Sequence, residues 1–268
     1  MQPATKPAAD ALTVAAIGIL AYIAGNVIHE GLGHGGACLL TGGRPLLITA
    51  VNMNCSADNQ LVIAGGSLMN AVAAACLFFV LPMIPRTSPH LKYFVWLSMT
   101  LNLLSPAGYV AFSGIGGFGD WAQFTQGFQP QWAWRVGMAI VGGALYMLFV
   151  RWSLLAMRPL IGSDQRGRRV HAVRLTMPAY FAGGTVECIA GAFNPQGWIL
   201  IALSAAASTF GGSSALLWAP QWLRGNSIPA GPDASPMPIE RSWAWIAGAA
   251  VIAVSFILIL GPGIHFTP

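Results

Sequence analysis

Two histidines and a glutamate stand close together in the stretch NVIHEGLGHGG, residues 26–36. His29 and Glu30 are adjacent, and His34 follows five residues after His29. Neutral imidazoles bind zinc through nitrogen, and a carboxylate beside such an ion can accept a proton from water. The stretch therefore predicts a metal site. Whether this site supports catalysis depends on how the three side chains are arranged.

The spacing of the two histidines leaves two arrangements open. A zinc-protease helix with the pattern His-Glu-x-x-His holds both histidines on one face. Here the spacing is one residue longer, so in a regular α-helix the imidazoles would point about 140° apart. A π-bulge or a break at Gly31–Gly33 would let both histidines bind one ion and leave Glu30 as a base. Alternatively, Glu30 and His34, four residues apart, are the ligand pair.

The elements that position this stretch are read from the apolar runs. The chain has 268 residues, of which 55% are hydrophobic and 8% charged, whereas a soluble domain carries about 25% charged residues. A membrane helix needs about 20 apolar residues. We therefore predict an all-α polytopic membrane protein with seven (six to eight) spans, near Leu12–His34, Leu61–Leu81, Leu91–Phe112, Trp132–Met157, Leu175–Phe193, Trp198–Trp218 and Trp243–Ile264.

The positive charge predicts the orientation. Six of the thirteen basic residues lie between Arg151 and Arg174, and the positive-inside rule makes this segment cytoplasmic. Anionic lipid headgroups are its expected partner, which argues against nucleic acid. The N-terminus is then cytoplasmic, in a multi-pass protein of a bacterial inner membrane. Cys38 and Cys55 flank an outer segment and either form a disulfide in an oxidising compartment or are ordinary small apolar residues.

Ionisable residues within apolar runs are the strongest further signal, because charges inside lipid are rare and usually functional. Glu30 and Glu187 lie within such runs, and Asp120 lies just past one. Glu187 could line a polar cavity, pair with a basic residue such as Arg174, or carry a proton. A proton- or cation-coupled transporter that uses Glu30, Asp120 and Glu187 is therefore one interpretation.

Three stretches, taken in order, resemble the site-2 protease (M50-like) family of intramembrane zinc metalloproteases. HEGLGHGGACLLTGG (29–43) resembles the family's zinc-binding helix, and AGGSLMNAVAAA (64–75) resembles its small-residue and Asn motif. NLLSPAGYVAFSGIGGFGDW (102–121) resembles its Asn-x-x-Pro…Asp motif. The chain departs from the family in its histidine spacing, in Pro106 lying four residues after Asn102, and in the distance to Asp120. It would be a divergent member.

The resemblance implies a fold and a reaction. A three-helix core would span residues 12–125, with a polar or re-entrant segment at 36–60, after a tail at 1–11. Residues 126–268 would add further helices, a basic loop at 158–174 and a flexible loop at 224–241. One zinc ion would be held by His29, His34 and Asp120, and Glu30 would be the general base for a water activated by zinc. Asn70 and Asn102 would bind the backbone of a membrane-embedded protein or peptide substrate, whose peptide bond is hydrolysed.

Two interpretations other than an active protease stay open at this stage. A protease-like membrane protein could bind metal or substrate without cleaving it. The transporter based on Glu30, Asp120 and Glu187 is the second. Zinc binding separates the transporter from the other two, and the effect of replacing Glu30 separates an active protease from an inactive one.

Overall fold

Long helices with a small β-sheet at one end make up the fold. The computed structural model describes residues 9–57, 59–194, 201–224, 228–231 and 235–266. Most of the predicted tail at 1–11 and the first residues of the run Trp198–Trp218 therefore lie outside the described residues. The elements are α1 (Ala11–Val27), a π-helix π1 (Ile28–Gly35), α2 (Gly36–Leu40), β1 (Pro45–Ile48), β2 (Met53–Cys55), α3 (Gln60–Val80), α4 (Pro89–Gly116), α5 (Asp120–Phe124), α6 (Gln131–Ile161), α7 (Gln165–Ala192), π2 (Ile201–Gly211), α8 (Ala215–Trp218), α9 (Trp243–Ser255), π3 (Phe256–Leu260) and β3 (Ile264–His265), with short 3-10 turns at Leu81–Met83 and Ala219–Arg224.

Within the described residues, five helical stretches are long and apolar enough to cross a membrane. The chain is therefore a mainly helical, polytopic integral membrane protein, as the apolar runs predict. The predicted run Leu175–Phe193 coincides with the second half of α7, whose first half is strongly basic. The five stretches are Ala11–Leu40, Gln60–Met83, Pro89–Gly116, Gln131–Ile161 and Trp243–Leu260.

Helix α1 lies at the centre of the bundle and packs against α7, α4 and α9. Small residues permit the closest of these contacts. A side chain at Gly18 would collide with the backbone of Ala179, and one at Gly183 would collide with the ring of Tyr22. In membranes, such small residues let helices approach each other and gain packing energy. The path of α1 is therefore held fixed up to the point where the histidine-bearing stretch begins.

The segment predicted as a basic loop at 158–174 is mostly helical. Helix α6 continues to Ile161 and α7 begins at Gln165, so only three residues separate them. Arginine is a good helix former, so basic character alone does not end a helix. Arg168 is buried and donates hydrogen bonds to the carbonyls of Leu223 and Ile228. The basic segment therefore belongs to the packed bundle.

The segment predicted as a flexible loop at 224–241 is also partly packed. Its proline, glycine and serine content favours an irregular backbone, which its described residues have. However, Ile228, Met237 and Ile239 are buried in the main hydrophobic core. These isolated apolar side chains hold the segment against the bundle. The average composition of the segment, which is rich in proline, glycine and serine, does not reveal them.

A three-stranded antiparallel sheet covers the end of the bundle that carries π1. Strand β1 lies in the middle, between β2 and β3. Ile48 pairs with Met53 on one side and with Ile264 on the other. The disulfide between Cys38 and Cys55 joins α2 to β2. The segment predicted as polar or re-entrant at 36–60 thus contains a β-hairpin, which the disulfide ties to α2 and strand pairing ties to β3.

The two ends of the bundle differ in chemistry. At one end, called the basic end below, Arg241 contacts Asp10, and Arg86 donates to the carbonyl of Pro159. At the other end, called the sheet end, lie the sheet and the disulfide, and Asn194 donates to the hydroxyl of Thr49. Helix α7 therefore runs from the basic end to the sheet end.

Candidate metal centre

The π-helix between α1 and α2 brings His29 and His34 together. The N–H of Gly36 reaches the carbonyl of Gly31, five residues back, which is the π-helical hydrogen bond. Residues five apart then lie one above the other. The two Nε2 atoms are 3.3 Å apart, with ring centroids at 4.9 Å. Of the two arrangements left open by the spacing, the structure adopts the one with both histidines on the same side.

Asp120 completes a compact group of three metal-ligand atoms. Its Oδ2 lies 3.3 Å from Nε2 of His29 and 3.3 Å from Nε2 of His34. With the 3.3 Å between the two nitrogens, the three atoms form a nearly equilateral triangle. Ligands about 2.0–2.1 Å from a tetrahedral zinc ion lie about 3.3–3.4 Å from each other. The residues present therefore fit an ion with three protein ligands, and Glu30 is not one of this group.

A chain of buried amides fixes the orientation of His29. Asn70 donates through Nδ2 to Oδ1 of Asn102 at 2.6 Å and to the carbonyl of Gly25. Its Oδ1 therefore faces Nδ1 of His29, 2.6 Å away, and accepts the proton of that nitrogen. Asn102 is anchored in turn on the carbonyl of Ser98. Such outer partners set the tautomer, so the lone pair of Nε2 points into the triangle.

His34 is held in the same tautomer by the backbone. Its Nδ1 lies 2.7 Å from the carbonyl oxygen of Val62, to which it donates. Asn70 and Asn102 are both buried and bonded to protein groups. Their predicted contact with the substrate backbone stays a prediction, whereas the structure places both in the support of His29.

Gly66 forms the floor of the centre. A Cβ atom at this position would lie 2.5 Å from Nε2 of His29 and 2.6 Å from Nε2 of His34. A Cβ at Gly33 would lie 2.5 Å from Cα of Gly66, so π1 and α3 touch through their backbones. The stretch AGGSLMN thus supplies both this floor and Asn70. Any side chain larger than hydrogen at position 66 would therefore displace the two histidines.

A glycine-rich turn brings Asp120 to the histidines. Gly117 and Gly119 have positive φ angles of 73° and 89°, a conformation that other residues rarely adopt. Arg135 supports this turn by donating to the carbonyls of Gly114 and Ile115. Burial alone would raise the pKa of the Asp120 carboxyl, but the two imidazoles beside it outweigh burial and hold the pKa well below its usual range.

The centre opens into a cleft of about 1100 Å³. Glu30, His34 and Asp120 line it together with Tyr109 and the β-hairpin. Glu30 is only 8% exposed, and its Oε2 has no hydrogen-bond partner among the described residues. A carboxylate that is buried, unpaired and beside the ligand triangle is free to exchange a proton with a molecule in the cleft.

Glu187 lies behind the centre, away from Arg174. It is buried and accepts a hydrogen bond from Nδ2 of Asn26 at 2.9 Å. Arg174 is exposed and lies thirteen residues earlier on the same helix, about 20 Å along its axis. The predicted alternative of a pair between the two is therefore wrong. Of the three acids that the transporter interpretation groups together, Glu30 and Asp120 line the same cleft, and Glu30 and Glu187 line a second, smaller cavity.

Sequence reasoning missed three residues of this region. Asn26 lies one turn before His29 in the polar stretch that carries the motif, and this position could have signalled its role. Gly66 lies in a stretch already noted for its small residues. Tyr109, whose ring is 6.1 Å from that of His29, has no distinctive local pattern.

Comparison of the chain with protein-family models, with curated proteins and with solved structures gives no match. The resemblance to site-2 proteases therefore depends on the three motifs alone, and the geometry of the centre stands as evidence independent of it.

Proposed function

We propose that the protein is an intramembrane zinc metalloprotease that hydrolyses a peptide bond in a membrane-embedded substrate. The observation that carries this proposal is the triangle of Nε2, Nε2 and Oδ2 atoms with 3.3 Å edges, with Glu30 beside it and facing the cleft. A metal site alone would not need an unpaired, buried carboxylate at its edge. The combination is the one that a hydrolytic metal site requires.

Two imidazoles and one carboxylate are a ligand set suited to zinc. When bound, zinc supplies Lewis acidity, which polarises a carbonyl group and makes water more acidic. Glu30 accepts the proton that the attacking water loses and returns it to the nitrogen of the leaving amine, so the proton balance closes. His29 and His34 keep their Nδ1 protons on Asn70 and Val62 throughout, so both stay neutral ligands.

The substrate reaches the centre through the cleft. A helical peptide bond is shielded by its own turn, so the substrate has to be unwound where it meets Glu30. The cleft is large enough for an extended segment and is bordered by β2 and by the turn that carries Asp120. The histidines lie on π1, which continues α1, while α3 carries Asn70 and α4 carries Asn102, in keeping with a three-helix core at 12–125.

The chemistry of the two ends supports an orientation with the centre outside the cytoplasm. Disulfides such as Cys38–Cys55 form and persist in oxidising compartments. The basic end carries Arg158, Arg168 and Arg169 and faces the cytoplasm and its anionic lipids. With α7 and the segment 201–224 as two further crossings, the chain has the seven predicted spans, and its N-terminus is cytoplasmic in a bacterial inner membrane.

Labelling with a membrane-impermeant maleimide tests this orientation. Single cysteines are introduced at Ser56, near the disulfide, and at Asp164, at the basic end, in a background without Cys76 and Cys188. In intact cells we expect labelling at position 56 only. Labelling at position 164 only would invert the orientation.

Metal content and cleavage test the function together. We expect one zinc per purified chain, lost in His29→Ala, His34→Ala and Asp120→Ala. Glu30→Gln should keep its zinc but lose cleavage of a membrane-spanning reporter peptide, because only the proton acceptor is removed. The control Glu240→Gln, at an exposed position of the basic end, should keep both properties.

Other outcomes point to the alternatives. Zinc in both the wild type and Glu30→Gln, with no cleavage by either, would indicate a protease-like protein that binds metal or substrate without hydrolysis. Ion flux that depends on Glu187, without bound zinc, would indicate a transporter.

A further inference from the structure

A second cavity lies behind the metal centre. Its volume is about 100 Å³, room for several water molecules or a short polar group. Glu30, Val51 and Tyr109 line both this cavity and the open cleft. A substrate held at the metal centre therefore has this second volume within reach.

Three side chains in the wall of this cavity carry a hydrogen-bond acceptor that lacks a donor. Oδ1 of Asn26, Oε2 of Glu30 and Oε1 of Glu187 are buried and have no hydrogen-bond partner among the described residues. The Asn26 amide cannot turn its nitrogen to the cavity, because Nδ2 donates to the carbonyl of Ala50 at 2.8 Å and to Oε2 of Glu187. Three oxygens from three side chains thus remain unsatisfied around one space.

The cavity also holds two carboxyl groups without a basic partner. Glu187 is 3% exposed, and the described residues that line the cavity with it include no lysine or arginine. His29 also borders the space, but its Nδ1 is bonded to Asn70 and its Nε2 belongs to the ligand triangle. Buried carboxyl groups are normally paired or hydrogen-bonded, because burial without a partner is costly. The missing partner is a positive group with several donors.

We propose that this cavity is a subsite for a primary ammonium group, supplied by a lysine side chain or by the amino terminus of a peptide. An ammonium group has several N–H donors and no acceptor, which matches the free oxygens of Asn26 and Glu187 and leaves Glu30 to its role at the metal centre. Its role as a substrate subsite rests on the proposed protease function. Ammonium binding itself needs no zinc and can be measured separately.

Small amines test the subsite on the purified full-length chain. Thermal stability and calorimetric titrations are run with n-butylammonium, which represents lysine, and with glycinamide, which represents an amino terminus. Tetramethylammonium has the same charge without an N–H donor, and sodium controls for an inorganic cation, all at equal ionic strength. We expect saturable binding of primary ammonium ions only. Tighter binding of n-butylammonium would identify a lysine side chain as the natural ligand, and tighter binding of glycinamide would identify an amino terminus.

Variants assign the binding to this cavity. Glu187→Gln should weaken binding at least about tenfold, because a charge-assisted hydrogen bond becomes a neutral one. Glu187→Asp, which keeps the charge, should bind more tightly than Glu187→Gln. Thr176→Val is the matched control, since Thr176 is buried on the same helix but lines a different, apolar cavity. It should bind as the wild type does.

The proposal is overturned by three results. These are no saturable binding of either ammonium ion, equally tight binding of sodium, or equal affinities of Glu187→Gln and Thr176→Val. A wild-type protein that binds ammonium but holds no zinc, or cleaves no substrate, would instead refute the protease function and leave the subsite standing.

Discussion

Replacing Gly66 by alanine perturbs the metal centre at the point where two helices leave no space. Gly66 is on α3 and touches the imidazoles of His29 and His34, which belong to π1. The substitution adds one methyl group and changes neither charge nor hydrogen bonding. Its effect on metal binding therefore reports on the geometry of the three ligands alone.

The size of the effect follows from the distances. The added carbon would lie 2.5 Å from Nε2 of His29, while ordinary contact begins at 3.4 Å, so the rings have to retreat by about 0.9 Å. Metal sites tolerate ligand displacements of only about 0.2 Å. Changes in the outer support of a site cost about 10–100-fold in metal affinity. Because two ligands move here, we expect zinc affinity to fall about 100-fold or more, close to 3 kcal/mol.

A competition titration with a fluorescent zinc chelator measures this affinity in detergent solution. Gly36→Ala is the matched control, because it lies one residue after π1 and an added Cβ there meets nothing within 4 Å. Size-exclusion elution and melting temperature check that both variants fold. A folded Gly66→Ala protein with wild-type zinc affinity would refute the assigned site.

Three further predictions test separate parts of the structure. Asn70→Ala should weaken zinc binding about 10–100-fold by releasing His29, and an unchanged chelator titration would contradict this. Deletion of Leu32 should let π1 become α-helical and keep one zinc per chain, as metal analysis would show; loss of zinc would mean that the bulge is required. Burial lowers the pKa of His171 to about 4, so the unfolded chain binds its proton first as pH falls. The contribution of His171 to the free energy of unfolding should therefore be fully present above about pH 6.5 and fall by up to about 3 kcal/mol towards pH 4. The free energy of unfolding of His171→Gln should not show this fall, and equal pH profiles of the two proteins would refute the prediction.

The metal centre was partly predictable because its members are rare in lipid. Two histidines and an acid in an apolar run, with an acid beyond another run, are visible without any structure. One extra residue near two glycines made a π-bulge one of the arrangements that the sequence left open. The pair of Asn26 and Glu187 did not, because 161 residues separate them and no local pattern couples them. The strand at Ile264–His265 was missed for the same reason, since two exposed residues form it only by pairing with β1.

The extra residue of the motif is absorbed on the outer side of π1. Leu32 is 56% exposed, whereas Glu30 and His34, two residues to either side, are buried. Helix α1 ends directly before π1 and α2 begins directly after it, so the insertion leaves one continuous helical stretch from Ala11 to Leu40. If Glu30 and His34 were the ligands instead, Glu30 would be bound to the ion and could not accept a proton. The five-residue spacing, folded as a π-helix, therefore places both histidines with Asp120 and keeps Glu30 available for acid–base chemistry.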